Sequence, residues 1–260
     1  MNTREAASRV HRRFPELADE NITAIPNGYD AADFAGPAPA TDGKVRIVHA
    51  GSLHTEFALR HRRLRHLRRV LRGYDPGVDP LTRSHVYLLQ AIDELHRERP
   101  ELSGRIELHL AGPLTRADRD VIGNADFVVA HGFISHRETI ELIRSATLLF
   151  LPMHDLPEGK RVAIVPCKTY EYLATERPIL AAVPDGDARD LLTAAGNSYL
   201  CRPSDVAAMK RAIADILERV DRGLHIDGPS RSVVDPLDRR RLTGDLAIFL
   251  ERVLASQGRS

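Results

Sequence analysis

The 260-residue chain has few cysteines and no long apolar run, and both absences exclude classes of protein. Cys167 and Cys201 do not stand at a metal-ligand spacing, and so few thiols fit a reducing compartment, although a single disulfide stays open. We interpret both as small buried hydrophobic residues. No apolar run approaches the ~20 residues that cross a bilayer, and the N-terminus lacks the apolar core of a secretory signal. The sequence therefore predicts a soluble protein.

An excess of charge of one sign is also missing. The formal net charge is +1, with 43% hydrophobic and 28% charged residues, which is ordinary for a globular protein and gives no overall attraction to nucleic acid or membrane. The GxGxxG pattern of dinucleotide enzymes is absent, so hydride transfer is unsupported. Lysine is rare, which draws attention to Lys168.

Short apolar runs alternate with helical patterns along the middle of the chain. The runs predict strands at 45–50, 106–111, 127–130, 148–151, 179–183 and 199–200. The patterns between them predict helices at 87–98, 116–122, 137–144, 166–175, 188–195 and 205–220. Nearly continuous apolar strands separated by helices predict an α/β fold with a doubly wound, mostly parallel sheet, in which ligands bind at the carboxyl ends of the strands.

Two flanks lie outside this alternation. The first contains a short basic helix and a linker-like segment at 35–40, and the second contains a long helix predicted at 235–255 after two proline breaks. The apolar residues of that last helix need cover, either from its own domain or from a neighbouring one. We therefore predict three parts, at 1–43, 44–225 and 226–260.

The stretch 165–174 places a cation and a carboxylate at a predicted helix start. Pro166 suits the first helical turn, and Lys168 and Glu171 share one face of that turn. Unpaired N–H groups at a helix start favour anions, an ammonium can bind a diphosphate, and a carboxylate can accept from two ribose hydroxyls. The pair taken alone fits a surface salt bridge equally well, worth about 0.2–0.5 kcal/mol. Its position at a strand's carboxyl end favours a phosphate and ribose clamp formed by Lys168 and Glu171.

Other strand ends offer further candidates. Gly51 would let a ligand approach the backbone and Ser52 could donate to a phosphate, although both also suit a plain tight turn. Gly112 ends the next strand, and the segment 131–134 could cradle a base. The polar loop 154–161 could contact a sugar, or it is a solvated connection whose charges alternate in sign.

The densest run of charge lies at 60–72. Leucines at helical spacing within it predict an amphipathic helix with one basic face. Such a face could meet nucleotide phosphates, an anionic membrane or RNA. Because aromatic residues for base stacking are scarce nearby, peripheral contact with a membrane is favoured over nucleic acid.

Five segments, taken in order, resemble the carboxyl-terminal, donor-binding half of a GT-B glycosyltransferase of the family 4 type. The segments are residues 22–30 with Phe34, 50–53, 110–112, 131–133, and 166–174 with 177–180. The resemblance runs from about Ile22 to the end of the chain. It implies one Rossmann-like domain that binds a nucleotide-diphosphate sugar, with a C-terminal helix that crosses back to an amino-terminal domain.

The same resemblance implies roles for individual residues. Glu171 would bind the ribose, Lys168 and the Gly51 turn would lie near the diphosphate, and backbone around Phe133 would meet the base. Lys168 and Glu171 are the predicted catalytic residues, with no metal and no cofactor besides the nucleotide-sugar substrate. The predicted donor-binding residues are Gly51, Ser52, Gly112, Phe133, Ile134, Pro166, Lys168, Glu171 and Tyr172.

Two departures from the family pattern matter. Many members carry two glutamates eight positions apart, but Ala163 stands where the first would be, with Glu158 as a candidate substitute. The amino-terminal half, which would hold the acceptor, is not in this sequence. We therefore expect a fragment, one subunit of a split enzyme, or a donor-binding domain with another use, and no sugar transfer by the chain alone.

The sequence as a whole predicts half of a hexosyltransferase-type glycosyltransferase that retains anomeric configuration. Its expected location is the cytoplasm or the inner face of the membrane, with a role in cell-envelope polysaccharide synthesis. Two alternatives stay open. One is a non-catalytic nucleotide-binding or docking module, and the other is an epimerase-like enzyme acting on nucleotide sugars, for which no acid and base groups can be placed.

Overall fold

Six strands form one sheet in the computed structural model, which describes residues 1–17, 21–37, 39, 43–64 and 77–257. The strands are β1 (Val45–Ala50), β2 (Ile106–Ala111), β3 (Val128–Gly132), β4 (Leu148–Pro152), β5 (Ile179–Ala182) and β6 (Ser198–Cys201). They lie in the order β3-β2-β1-β4-β5-β6, and all five pairings are parallel. The prediction of a doubly wound, Rossmann-like parallel sheet is confirmed.

Helices follow the strands and cover both faces of the sheet. They are α1 (Arg4–Arg13), α2 (Thr55–Arg63), α3 (Val86–Glu98), α4 (Arg116–Ile122), α5 (His136–Arg144), α6 (Cys167–Ala174), α7 (Asp187–Ala195), α8 (Val206–Asp221), α9 (Arg231–Val234) and α10 (Arg239–Gln257). Because both faces are covered, every residue of β4 and β5 is buried, which explains their unbroken apolar sequences. Edge strand β3 is mostly exposed.

Each face of the sheet has its own apolar core. On one face, Leu149 and Ile179 pack in a cluster with Tyr172 of α6 and Leu192 of α7. On the other face, the cluster contains residues of α3 and α8, such as Leu88 and Ile213. The helix with the predicted clamp therefore rests on the first core.

The C-terminal region differs from the single helix predicted at 235–255. Asp235–Leu237 is a short 3₁₀ turn with Pro236 inside it, and Asp238 is extended, so α9 and α10 are separate helices. The physical reason is Asp238, whose extended backbone interrupts the helix and whose carboxylate accepts the Arg240 N–H at 3.1 Å, which caps the start of α10. Large apolar side chains of α10 are exposed beyond its first turn: Leu246, Ile248, Leu250 and Leu254.

The N-terminal segment is tied to this region by backbone contacts. The Tyr29 N–H donates to the Leu237 carbonyl at 3.1 Å, and the Tyr29 carbonyl accepts from the Arg239 N–H at 2.9 Å. Gly28 has a φ of +67°, and a Cβ there would lie 2.3 Å from the Leu237 oxygen. Glycine at this position therefore permits both the turn and the close approach.

Parts of two predicted segments lie outside the described residues. Of the basic run at 60–72, the structure describes residues 60–64, in which α2 ends at Arg63. Of the linker-like segment at 35–40, residues 38 and 40 are outside. In the part of the chain that is described, no helix has the length and apolar character of a membrane span.

Candidate functional site

The predicted site residues gather where the order of the strands reverses. The chain runs outward in one direction from β1 and in the other from β4, and these two strands are neighbours at the centre of the sheet. Such a reversal leaves a crevice at the carboxyl ends of the strands, where ligands bind in open α/β sheets. Gly51 and Ser52 follow β1, and Lys168 and Glu171 lie on α6, which follows β4.

Gly51 and Lys168 meet at the floor of this crevice. Gly51 has a φ of +120°, and a Cβ at Gly51 would lie 2.6 Å from the Lys168 Nζ. Gly112 supports the turn from behind, since a Cβ there would lie 2.8 Å from the Gly51 oxygen. The Gly51 N–H donates to Ala111 at 2.8 Å, and the Gly112 N–H donates to Gly132 at 2.7 Å. Both glycines are thus required by their positive φ, and Gly112 also by its close packing against the Gly51 backbone.

The Lys168 ammonium is directed away from its own helix. Its Nζ lies 3.4 Å from Nε2 of His49, a buried residue of β1. The His49 Nδ1 lies 3.0 Å from the Phe150 carbonyl, which can only accept, so Nδ1 carries the ring proton and Nε2 is left as an acceptor. No ion pair joins Lys168 to Glu171 in the described part of the chain. The surface salt bridge is therefore not the arrangement that forms.

The Lys168 ammonium has a lowered pKa. Burial is the main cause, and with the nearby Arg83 it lowers the pKa of Lys168 to about 7, while Glu171 acts in the opposite direction. Burial also lowers the pKa of His49 well below its usual range, with a further contribution from Lys168. A bound anion would raise the pKa of both Lys168 and His49, because it would give the ammonium a partner of opposite charge.

Arg83 is a second cation of this crevice that sequence reasoning missed. It follows the 3₁₀ turn Pro80–Thr82, and its carbonyl accepts the His54 N–H at 2.9 Å. Burial lowers its pKa, and the guanidinium has no hydrogen bond or ion pair within the described ranges. The signal was an arginine four positions before the helix predicted at 87–98, in the connection that leaves β1.

The loop 154–161 is held in place at its beginning. The His54 Nδ1 lies 3.0 Å from the His154 Nε2, and the Asp155 N–H donates to the Thr82 hydroxyl at 2.7 Å. Arg202 donates to the Asp155 carboxylate at 2.7 Å. The start of the loop is thus anchored to the crevice, whereas Glu158 is exposed.

Glu171 presents an unpaired carboxylate one turn beyond Lys168. Its side chain is half-buried and has no hydrogen-bond partner within the described residues. Burial raises the pKa of Glu171, which is opposed by His136 and by Arg239. His136 in turn lies 2.9 Å from the Asp33 carboxylate. The carboxylate therefore has acceptor oxygens available for a ligand.

The remaining predicted residues occupy three kinds of position. Ser52 is exposed, and neither its N–H nor its hydroxyl has a partner in the described part of the chain. Phe133, after β3, is 88% exposed, while Ile134 packs partly against the core. Tyr172 is fully buried and its hydroxyl accepts the Ala50 N–H, so its side chain supports the site from within.

The start of α6 differs slightly from the prediction. Pro166 is the cap residue, so the helix begins at Cys167, and no side chain caps it. Cys167 is exposed, which corrects the interpretation of both cysteines as buried; its position on the first turn places it outside the core. Cys201 is buried as expected, and both thiols are free.

Comparison with known proteins identifies the family. A family model described as "Glycosyl transferases group 1" matches residues 79–219, more than half of the chain. No curated protein matches the sequence. Among solved structures, similarity extends to HepE from Anabaena in complex with UDP and glucose, with 15% identity and a TM-score of 0.60 over 96% of this chain and 61% of that one.

Two further solved structures have the same fold. The pneumococcal O-GlcNAc transferase GtfA, in complex with UDP and GlcNAc, is 13% identical with a TM-score of 0.61, over 98% of this chain and 44% of that one. Sucrose-phosphate synthase from Thermosynechococcus elongatus is 14% identical with a TM-score of 0.64, over 98% of this chain and 58% of that one. The chain spans about half the length of these proteins. It belongs to the group 1 glycosyltransferases, and its fold is that of the carboxyl-terminal half of a GT-B enzyme.

Proposed function

We propose that the crevice between β1 and β4 binds the diphosphate and ribose of a nucleotide sugar. The observation that carries the proposal is the placement of the Lys168 ammonium beside the bare backbone of Gly51, with the unpaired Glu171 carboxylate one helical turn away. Arg83 is a second cation, near enough to lower the pKa of Lys168. Phosphate oxygens would satisfy the cations, and ribose hydroxyls would donate to the carboxylate. The exposed segment at Phe133 is the proposed base contact.

The proposed reaction is transfer of the sugar with retention of configuration. The chain's own contribution is to hold the donor and to stabilise the departing diphosphate, through Lys168, Arg83, the free N–H of Ser52 and the uncapped start of α6. These groups supply positive charge where negative charge develops. We therefore propose the nucleotide sugar as substrate and no separate cofactor.

Calorimetry with UDP and with inorganic pyrophosphate tests the donor site. UDP is the probe because HepE and GtfA were solved with it. We expect Lys168→Met to weaken both ligands, because it removes a diphosphate contact. Glu171→Ala should weaken UDP about tenfold or more and leave pyrophosphate unchanged, because only UDP has a ribose.

Glu141→Ala is a matched control, since Glu141 is an exposed helical glutamate that pairs with Arg137. This variant should bind both ligands like the unchanged chain. Failure of every nucleoside diphosphate to bind, or unchanged UDP affinity in Glu171→Ala, would overturn the donor-site proposal.

The acceptor is proposed to be held by a separate domain or subunit. The chain spans 61% of HepE and 44% of GtfA, and the exposed apolar residues of α10 offer a surface for that domain. We propose the division at 1–43, 44–225 and 226–260 on this basis. The isolated chain should bind donor without transferring sugar, and robust turnover by the purified chain would contradict the proposal.

We also propose that the protein works in the cytoplasm or at the inner face of the membrane, in cell-envelope polysaccharide synthesis. Arg60 and Arg63 of α2 are exposed, whereas Arg62 donates to the Asp79 carboxylate at 2.8 Å. Sedimentation with anionic and with neutral vesicles tests membrane contact. Equal sedimentation with both would contradict it.

A further inference from the structure

Two histidines face each other across the same crevice. His54 follows β1 and His154 follows β4, and the His54 Nδ1 lies 3.0 Å from the His154 Nε2. The ring centroids are 4.9 Å apart and the ring planes are tilted by 58°. Because β1 and β4 are the strands at which the strand order reverses, the pair lies at the crevice where ligands bind in sheets of this kind.

The two nitrogens that face each other, the His54 Nδ1 and the His154 Nε2, share a hydrogen bond, and we call them the inner nitrogens. The other nitrogen of each ring, the outer nitrogen, is available to a ligand. One N–H must lie between the His54 Nδ1 and the His154 Nε2. Neither the His54 Nε2 nor the His154 Nδ1 has a protein partner within the described ranges. When both rings are neutral, the outer side therefore offers one donor and one acceptor, whichever ring supplies the inner proton. One added proton turns the acceptor into a second donor.

Burial and nearby positive charge keep the two histidines neutral. Burial is the main cause that lowers the pKa of His154 to about 4, with further lowering by His54 and Arg83 and opposition from Asp79. Burial, Arg83 and Lys168 lower the pKa of His54 as well. Asp79 itself is bonded by Arg62 and Tyr87, which weakens its hold on the histidines.

A nucleoside diphosphate that has lost its sugar carries about three negative charges at neutral pH. Lys168 and Arg83 supply at most two positive charges. We propose that the His54–His154 pair binds the diphosphate with its outer nitrogens and takes up one proton from solvent when a nucleoside diphosphate occupies the crevice. The protonated pair then presents two N–H donors to phosphate oxygens and adds the third positive charge. The inference rests on the proposed donor site and adds proton uptake to it.

The direct test is nitrogen-15 NMR of the histidine rings in the full chain with and without saturating UDP. Spectra of His54→Asn and His154→Asn assign the two residues among the 12 histidines. At about pH 6 the pair without UDP should show one protonated nitrogen in each ring. With UDP bound, the pair should hold three N–H groups on its four ring nitrogens.

Each result of this experiment decides between the two proposals. If the pair stays neutral while UDP shifts the backbone amide signals of residues around Gly51, the inference is overturned and the donor-site proposal stands. An absence of any shift on adding UDP would overturn both.

The pH dependence of UDP affinity gives a second measurement. The ratio of dissociation constants, His154→Asn over the unchanged chain, should be about tenfold at about pH 6 and fall toward one by about pH 8. The sign follows because the added proton strengthens binding only while solvent supplies it, and the ratio cancels the ionisation of UDP itself. His225→Asn is the control, since His225 is exposed and outside the crevice. A ratio that does not change with pH would contradict proton uptake; His54→Asn replaces His154→Asn if the latter does not fold.

Discussion

The hydroxyl of Tyr172 accepts a hydrogen bond from the Ala50 N–H at 2.9 Å. This contact joins α6, which carries Lys168, to the last residue of β1, directly before Gly51. Tyr172 is fully buried, and the burial raises the pKa of its hydroxyl, which therefore keeps its proton. One buried hydroxyl thus helps to fix α6 against the end of β1, next to the glycine turn.

Replacing this hydroxyl should affect both stability and binding. We expect Tyr172→Phe to lower the free energy of unfolding by about 1–3 kcal/mol, because the buried Ala50 N–H loses its acceptor. UDP affinity should also fall, because α6 is no longer fixed against β1. Urea unfolding and calorimetry measure the two effects.

Tyr199→Phe is the matched control for this variant. The Tyr199 hydroxyl bonds to Asp215 of α8, on the other core. Its loss should lower stability and leave UDP affinity unchanged. Equal loss of UDP affinity in both tyrosine variants would show that the Ala50 contact has no special role.

A side chain at Gly51 should weaken binding by displacing the Lys168 ammonium. In Gly51→Ala, the new Cβ would lie 2.6 Å from the Lys168 Nζ, and the residue would need a φ of +120°. We expect UDP affinity to fall more than about tenfold. Gly104→Ala is the control, since Gly104 also has a positive φ but no neighbour within 4 Å of a Cβ. Normal UDP affinity in Gly51→Ala would contradict the close approach of Lys168 to the turn.

Lys168 should give stability and binding opposite dependences on pH. Its pKa is about 7 in the folded chain against an ordinary value of 10.5, so between these values the unfolded chain binds more protons. The contribution of Lys168 to the free energy of unfolding therefore rises with pH over this interval. A bound diphosphate raises the pKa of Lys168, so UDP affinity falls over the same interval.

Urea unfolding and calorimetry from about pH 7 to about pH 9 check both trends. Lys168→Met should show neither this rise in the free energy of unfolding nor this fall in UDP affinity. Lys210→Met should keep both, since Lys210 pairs with Glu98 on the surface at 2.6 Å. UDP affinity of the unchanged chain that is constant across this range would count against a lowered pKa at Lys168.

Gly28 should be required for the docking of the N-terminal segment. In Gly28→Ala, the Cβ would lie 2.3 Å from the Leu237 oxygen and 2.5 Å from the Leu242 side chain. We expect a loss of more than about 2 kcal/mol in the free energy of unfolding, because backbone must move. Gly196→Ala, at an open left-handed helix end, should cost about 1 kcal/mol. Similar losses in the two variants would argue against a tight fit at Gly28.

The sequence predicted the sheet because its strands are short, apolar and separated by helices. Burial on both faces imposes that pattern on parallel strands, so β4 and β5 were identified from short apolar runs bounded by turn residues. The C-terminal helix was predicted with the wrong start because a proline is tolerated in the first turn, so Pro236 did not argue against a start at 235, whereas the extended Asp238 caps the helix that begins at Arg239.

The candidate site was only partly predictable. Lys168 and Glu171 stand close together in the sequence, so their spacing on one helix was informative. His54 and Arg83 belong to the connection after β1 and His154 to the connection after β4, and they meet because β1 and β4 are adjacent in space. Contacts between residues 100 positions apart leave no spacing signal in a single sequence.

Because the site lies at a reversal of strand order, donor preference can change while the sheet stays the same. The proposed ligand contacts are carried by connections and by the start of α6, and the buried strands contribute their ends alone. Exchange of a connection therefore alters recognition without disturbing the sheet. For enzyme engineering, grafting the 133–135 connection from a relative is a route to a different base, with the scaffold kept intact.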